Sequence, residues 1–209
     1  MRKIAQAAGL IAFVQIGVGI AAFIHEFGHW VFYRIQGIPA AISLVKEFPL
    51  RDLSVREYAV GSWGGIIFNW IWLIVLCAMI RISASGAGRL KKLIPNSLFW
   101  GQCIVLLLYA LLLFKGQDKT EFIYAQGLFH LPKYSIVIFN LILTAAAIIF
   151  VMRWNRQKLK ISTIVIALAT GIVSVVFLSL LETYDAETNW RKYPTISVGD
   201  DMLYNEHRK

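Results

Sequence analysis

The chain is a series of apolar runs, each about twenty residues long, separated by short polar and basic segments. About twenty apolar residues in a helix cross the ~30 Å hydrocarbon core of a bilayer. Lipid offers backbone N–H and C=O groups no partner but one another, so runs of this kind must be helical. The runs at 8–33, 58–80, 97–114, 134–152 and 161–181 predict an all-α polytopic membrane protein with about five transmembrane helices. A short extended or re-entrant segment is expected after the first span, in the stretch AAISLV. With 209 residues, 58% hydrophobic and 16% charged, there is room for one membrane-embedded domain, 1–181, and a polar C-terminal tail, 182–209. The net charge of +9 does not indicate nucleic acid, because the Lys and Arg lie beside spans, where they meet lipid headgroups. Cys77 and Cys103 lie within apolar runs and read as packing residues. The basic start followed by an apolar stretch looks like a signal peptide, but that stretch continues into the motif described next, so it is expected to be a retained span.

The first run contains His25-Glu26-Phe27-Gly28-His29, an HExxH pattern. Residues four apart share a helix face, so His25 and His29 can offer two imidazole nitrogens to one metal ion. Glu26 is turned aside from that pair and can reach a water in the site and take its proton. Ionisable groups at membrane depth are costly and mark function. The expected cofactor is Zn2+, which in a catalytic site takes three protein ligands and keeps one position open.

The third ligand has several candidates. The far end of span one, the start of span two, the end of span three and the start of span four share one membrane face, which carries Asp52, Glu57, Asp118, Glu121 and His130. Asp118 is closest to the end of span three, and Gly116 beside it lets the chain bend inward. Asp118 can equally be the N-cap of a helix starting at Lys119, with Glu121 closing a capping box. Leu131-Pro132 after His130 suggests a helix stop. In span two, Gly61 and Gly65 form a GxxxG, with Gly64 beside them, which reads as a helix-packing face. Gly17, Gly19, Ala21 and Ala22 form a similar small-residue stripe on span one. Asn69 shares the face of Gly65 and can bond a neighbouring helix or hold a substrate group.

HEFGH in an early span, the run Gly64-Gly65-Ile66-Ile67-Phe68-Asn69 in the next, and a later Asp near a span end resemble the site-2 protease family of intramembrane zinc metalloproteases. The resemblance covers roughly the first 120 residues. It implies that His25, His29 and Asp118 bind zinc and that Glu26 is the general base. It implies that Asn69, Gly64 and Gly65 contact substrate, and that the loop after span one holds the substrate as an extended strand. The substrate class it implies is a membrane-spanning protein, cut within the lipid bilayer. The family's Asp is usually followed by Gly, whereas Asp118 is followed by Lys119.

Two rival readings differ in chemistry. In one, a Glu from a later helix, Glu57 or Glu121, completes the site. In the other, the chain is a catalytically degenerate relative acting as a membrane-protein scaffold or chaperone. Positive-inside counting puts Arg2, Lys3 and the two dense basic loops in the cytoplasm and the motif near the outer face. The resemblance implies a site closer to the cytoplasm.

Overall fold

A computed structural model describes residues 2–84, 89–114, 116, 119–154, 161–188 and 198. The chain is mostly helical. Its elements are α1 (Arg2–Ile35), β1 (Ala40–Ile42), β2 (Glu47–Pro49), α2 (Val55–Ala84), α3 (Arg89–Phe114), α4 (Thr120–Leu128), α5 (Ser135–Trp154) and α6 (Ile161–Thr188). Among the described residues four helices are long and apolar enough to cross a membrane: Ile11–Ile35, Val55–Ser83, Leu93–Leu111 and Ser135–Trp154. This is the make-up of an all-α membrane protein. The fifth expected span, 161–181, falls within α6, which is helical but is not among those four.

Helix α1 packs on both α2 and α3, and each contact depends on glycine. A Cβ on Gly28 would lie 2.4 Å from the Gly64 carbonyl oxygen, and a Cβ on Gly101 would lie 2.3 Å from the Gly17 carbonyl carbon. No side chain fits at either crossing. In lipid, where apolar burial does not drive helices together, such backbone approach supplies the packing. The stripe on α1 and the glycines of α2 therefore do what the sequence predicts of small residues. A core of Leu73, Leu76, Ile80, Phe99, Cys103 and Leu106 joins α2 to α3, and Ala147 and Val151 add α5. Cys103 is buried there and Cys77 packs against it, both as free thiols.

Helix α6 lies along α1 in the same direction. Gln15 Nε2 donates to the Thr170 carbonyl (3.5 Å), and the Phe177 ring and a Leu181 methyl stand opposite Gly19. Further along, the buried Asp185 carboxylate accepts from the Ser43 hydroxyl and, at 3.4 Å, from the Val45 N–H. Of the tail 182–209, the first residues thus continue α6, and Val198 makes a parallel bridge with Leu53. The rest lies outside the described residues.

The segment after α1 is a two-stranded antiparallel hairpin, β1–β2, with Ala41 opposite Phe48. It begins after Gly37, whose φ of 73 suits glycine and turns the chain out of α1. Trp30 Nε1 donates to the Ala40 carbonyl (2.9 Å) and holds the hairpin against α1. Ser54 caps α2, and Glu57 closes a capping box, its carboxylate accepting from the Ser54 N–H at 2.9 Å. The segment between α3 and α5 turns at Gly116 (φ 63) into the short helix α4, which packs under α2 through Phe122 and Ala125.

Candidate metal centre

Three elements meet over the last third of α1. His25 and His29 are both 2% exposed, on the face of α1 that meets α2. Their Nε2 atoms are 3.0 Å apart. The third donor comes from α4: Glu121 Oε1 is 3.1 Å from His25 Nε2, and Oε2 is 3.3 Å from His29 Nε2. Ligand bonds of ~2.0–2.1 Å in a tetrahedral site put neighbouring donor atoms roughly 3.3 Å apart. The two imidazoles and the carboxylate are spaced for one ion.

The expected third ligand, Asp118, lies outside the described residues. The capping alternative does not hold in its expected form. Helix α4 begins at Thr120, with Lys119 as an extended N-cap that makes no side-chain cap bond, and Glu121 faces the histidines. Of the other candidates, Glu57 is occupied in its capping box and in an ion pair with Arg51 (2.6 Å). Asp52 is exposed on the loop. His130 is exposed in a left-handed turn (φ 52) after α4.

Each imidazole is oriented by α2. His29 Nδ1–H donates to the Gly61 carbonyl at 2.9 Å, which leaves Nε2 as the free lone pair. His25 Nδ1 is 2.8 Å from the Asn69 carboxamide, and Gln102 Nε2 donates to the Asn69 carboxamide oxygen at 3.1 Å. For His25 to present Nε2 as a ligand, its Nδ1–H must donate and the Asn69 oxygen must accept. Carboxamide oxygen and nitrogen are nearly the same size, so a half-turn of Asn69 provides this. The half-turn aims the Asn69 NH₂ at the side-chain amide of Gln102, whose Oε1 has no hydrogen-bond partner.

The glycines singled out in span two are part of this construction. A Cβ on Gly65 would lie 2.4 Å from His29 Nε2 and 2.8 Å from His25 Cε1. The imidazoles rest directly on its backbone. Gly64 abuts Gly28, the glycine inside HEFGH, and Gly61 lies under the Tyr33 ring. Asn69, Gly64 and Gly65 all stand at the centre, touching the histidines or their helix.

Glu26 is one step round α1, under the hairpin. Its Oε2 accepts from the Glu47 N–H at 3.3 Å. The Glu26 and Glu47 carboxylates and a His29 ring nitrogen lie within 4.8 Å of one another. Glu47 therefore stands in the centre. On the opposite flank, Lys119 Nζ is 2.8 Å from Glu121 Oε1 and 4.4 Å from the centre of the Tyr109 ring. Burial raises the Glu121 carboxyl, but Lys119 and the histidines outweigh it and hold the group well below the usual carboxylate range. Burial lowers the Lys119 ammonium, and Glu121 more than offsets this, so its pKa is raised. Glu47 and Lys119 give no motif in the sequence.

No protein-family model, curated protein or solved structure matches this chain. The functional reading therefore rests on the residues and their geometry.

Proposed function

We propose that this chain is an intramembrane zinc metalloprotease of the site-2 protease kind, a multi-pass membrane protein with about five spans. The observation that carries the reading is the convergence of His25 Nε2, His29 Nε2 and the Glu121 carboxylate, with Glu26 beside His29. Two histidines and a carboxylate form a common donor set of catalytic zinc. The course of α6 beside α1, from Thr170 at Gln15 to Asp185 at the hairpin, favours α6 as the fifth span.

His25, His29 and Glu121 would hold the ion, which supplies a polarised water and a Lewis acid for a carbonyl. The chain's own residues do the rest. Glu26 takes a proton from the water, and the hydroxide oxygen attacks the peptide carbonyl. Glu26 then returns the proton to the leaving nitrogen. Burial of His25 and His29 where α1 meets α2 keeps bulk lipid and water from the imidazoles. The hairpin beside Glu26 would receive the substrate as an extended segment, and a substrate helix must unwind before its peptide bonds are accessible.

Metal analysis of purified variants tests the ligand set. Wild type should hold about one zinc per chain, His25→Ala and Glu121→Ala close to none, and Asp118→Ala about as much as wild type. Glu26→Gln should keep zinc and lose about 10²–10⁴-fold in cleavage of a single-span reporter, the contribution expected of a positioned base. Zinc absent from wild type, with reporter binding but no cleavage, would favour the scaffold reading instead.

A further inference from the structure

The centre has two chemically different flanks. Beside His29 stand Glu26 and Glu47. Beside His25 stands Glu121 Oε1, shared between His25 Nε2 at 3.1 Å and Lys119 Nζ at 2.8 Å. Exposure rises in one direction across this second flank, from 3% for the His25 side chain to 14% for Glu121 and 33% for Lys119. Lys119 is thus the outermost of the three groups on this flank.

Resting on the metalloprotease reading, we propose that Lys119 is a catalytic residue that hydrogen-bonds the oxyanion formed from the scissile carbonyl. The chemistry calls for a donor at this place. When the water gives its proton to Glu26, its oxygen bonds to the carbonyl carbon. The carbonyl π pair moves on to its oxygen, which becomes anionic. If the base acts from the Glu26 flank, that oxygen develops toward the opposite flank, where Lys119 stands. An ammonium has three donors, and one of them meets Glu121. In the proposed complex the ammonium keeps that bond and gives another of its N–H groups to the oxyanion. Collapse of the tetrahedral species then breaks the C–N bond, whose pair leaves with nitrogen as that atom takes the proton from Glu26. A preorganised donor of this kind in a dry site is worth about 10²–10³ in kcat. The Tyr109 ring, 4.4 Å from Nζ, limits the paths of the side chain and keeps the ammonium near the centre.

Zinc-loaded wild type, Lys119→Met and Lys119→Arg provide the test, with three readouts. The first is zinc content. The second is affinity for a phosphoryl dipeptide, which presents a tetrahedral anion, and for a dipeptide hydroxamate, which chelates zinc without one. The third is the split of kcat against KM on the single-span reporter. The expected result is unchanged zinc in Lys119→Met and about 10²-fold weaker phosphoryl dipeptide binding. Hydroxamate binding should change no more than about threefold, and kcat should fall about 10²–10³-fold at similar KM. Lys119→Arg should recover at least tenfold of the lost kcat. Equal loss of both inhibitors, or loss of zinc, would assign Lys119 to holding Glu121 in place and overturn the proposal. So would unchanged phosphoryl dipeptide affinity. Wild type without zinc and without affinity for either inhibitor would mean instead that the metalloprotease reading itself has failed.

Discussion

His25 and His29 are useful as ligands only if their other ring nitrogens are held, and each is held by α2. Gly61 provides a carbonyl that no substitution removes, whereas Asn69 provides a side chain. Asn69→Ala should therefore keep the fold and weaken zinc binding by about 10–100-fold, as loss of an outer-shell partner does. A chelator competition measures it. Gln102→Ala should have a smaller effect in the same direction, because Gln102 acts through Asn69. Gly65→Ala should be more damaging at the centre, since its methyl would occupy the space of the His29 ring. The expected outcome is loss of zinc, read by metal analysis of folded protein. The HEFGH residues were legible because helical spacing alone brings His25 and His29 together. The roles of Asn69 and Gly65 were only half legible: their helix face could be read from spacing, but not what lies on it.

At the scale of elements, the centre is built from α1, α2, α4 and the hairpin, which contribute different things. Helices α1 and α2 are locked through Gly28 and Gly64. Gly28→Ala should push the helices apart and lower the thermal unfolding temperature, with a cost of about 1–3 kcal/mol for an overpacked contact. The hairpin is held less firmly. Its tip depends on one buried carboxylate, Asp185, which accepts from Ser43 and Val45. Asp185→Ala should leave the spans intact and raise amide exchange at Ser43 and Val45, which hydrogen-exchange mass spectrometry would register in a peptide covering β1–β2. Exchange unchanged from wild type would mean that α6 does not restrain the hairpin. An extended segment after span one could be read from the β-tending AAISLV. That Glu47 faces Glu26 could not, because a three-residue strand pairing sets which side chains turn inward.

At the scale of the molecule, the two histidines of the centre lie within a helix long and apolar enough to cross a membrane. His29 is six residues before the end of the Ile11–Ile35 span, roughly 9 Å along the helix. On the proposed protease reading, a substrate must bring a peptide bond to the histidines in an unwound state. Replacing Gly or Pro near the cut of a single-span reporter by Leu should therefore reduce cleavage at least severalfold, since Gly and Pro weaken a helix by ~1 and ~3 kcal/mol. Electrophoresis of the reporter reads this directly.

The sequence by itself determined that the chain is built from helices long and apolar enough to cross a membrane, and that one of them carries two imidazoles and a carboxylate on neighbouring faces. Both follow from local physics: apolar length sets the span, and 3.6 residues per turn sets the face. Only the tertiary structure brings Glu121 to His25 and His29. The order of the apolar runs predicts only that Asp52, Glu57, Asp118, Glu121 and His130 share one membrane face. The position of α4 under α2, set by Phe122 and Ala125, turns Glu121 toward the histidines. The same packing puts Lys119 beside Glu121 and leaves Glu57 to cap α2. Such choices depend on contacts between segments far apart in the chain, and no period in the sequence records them.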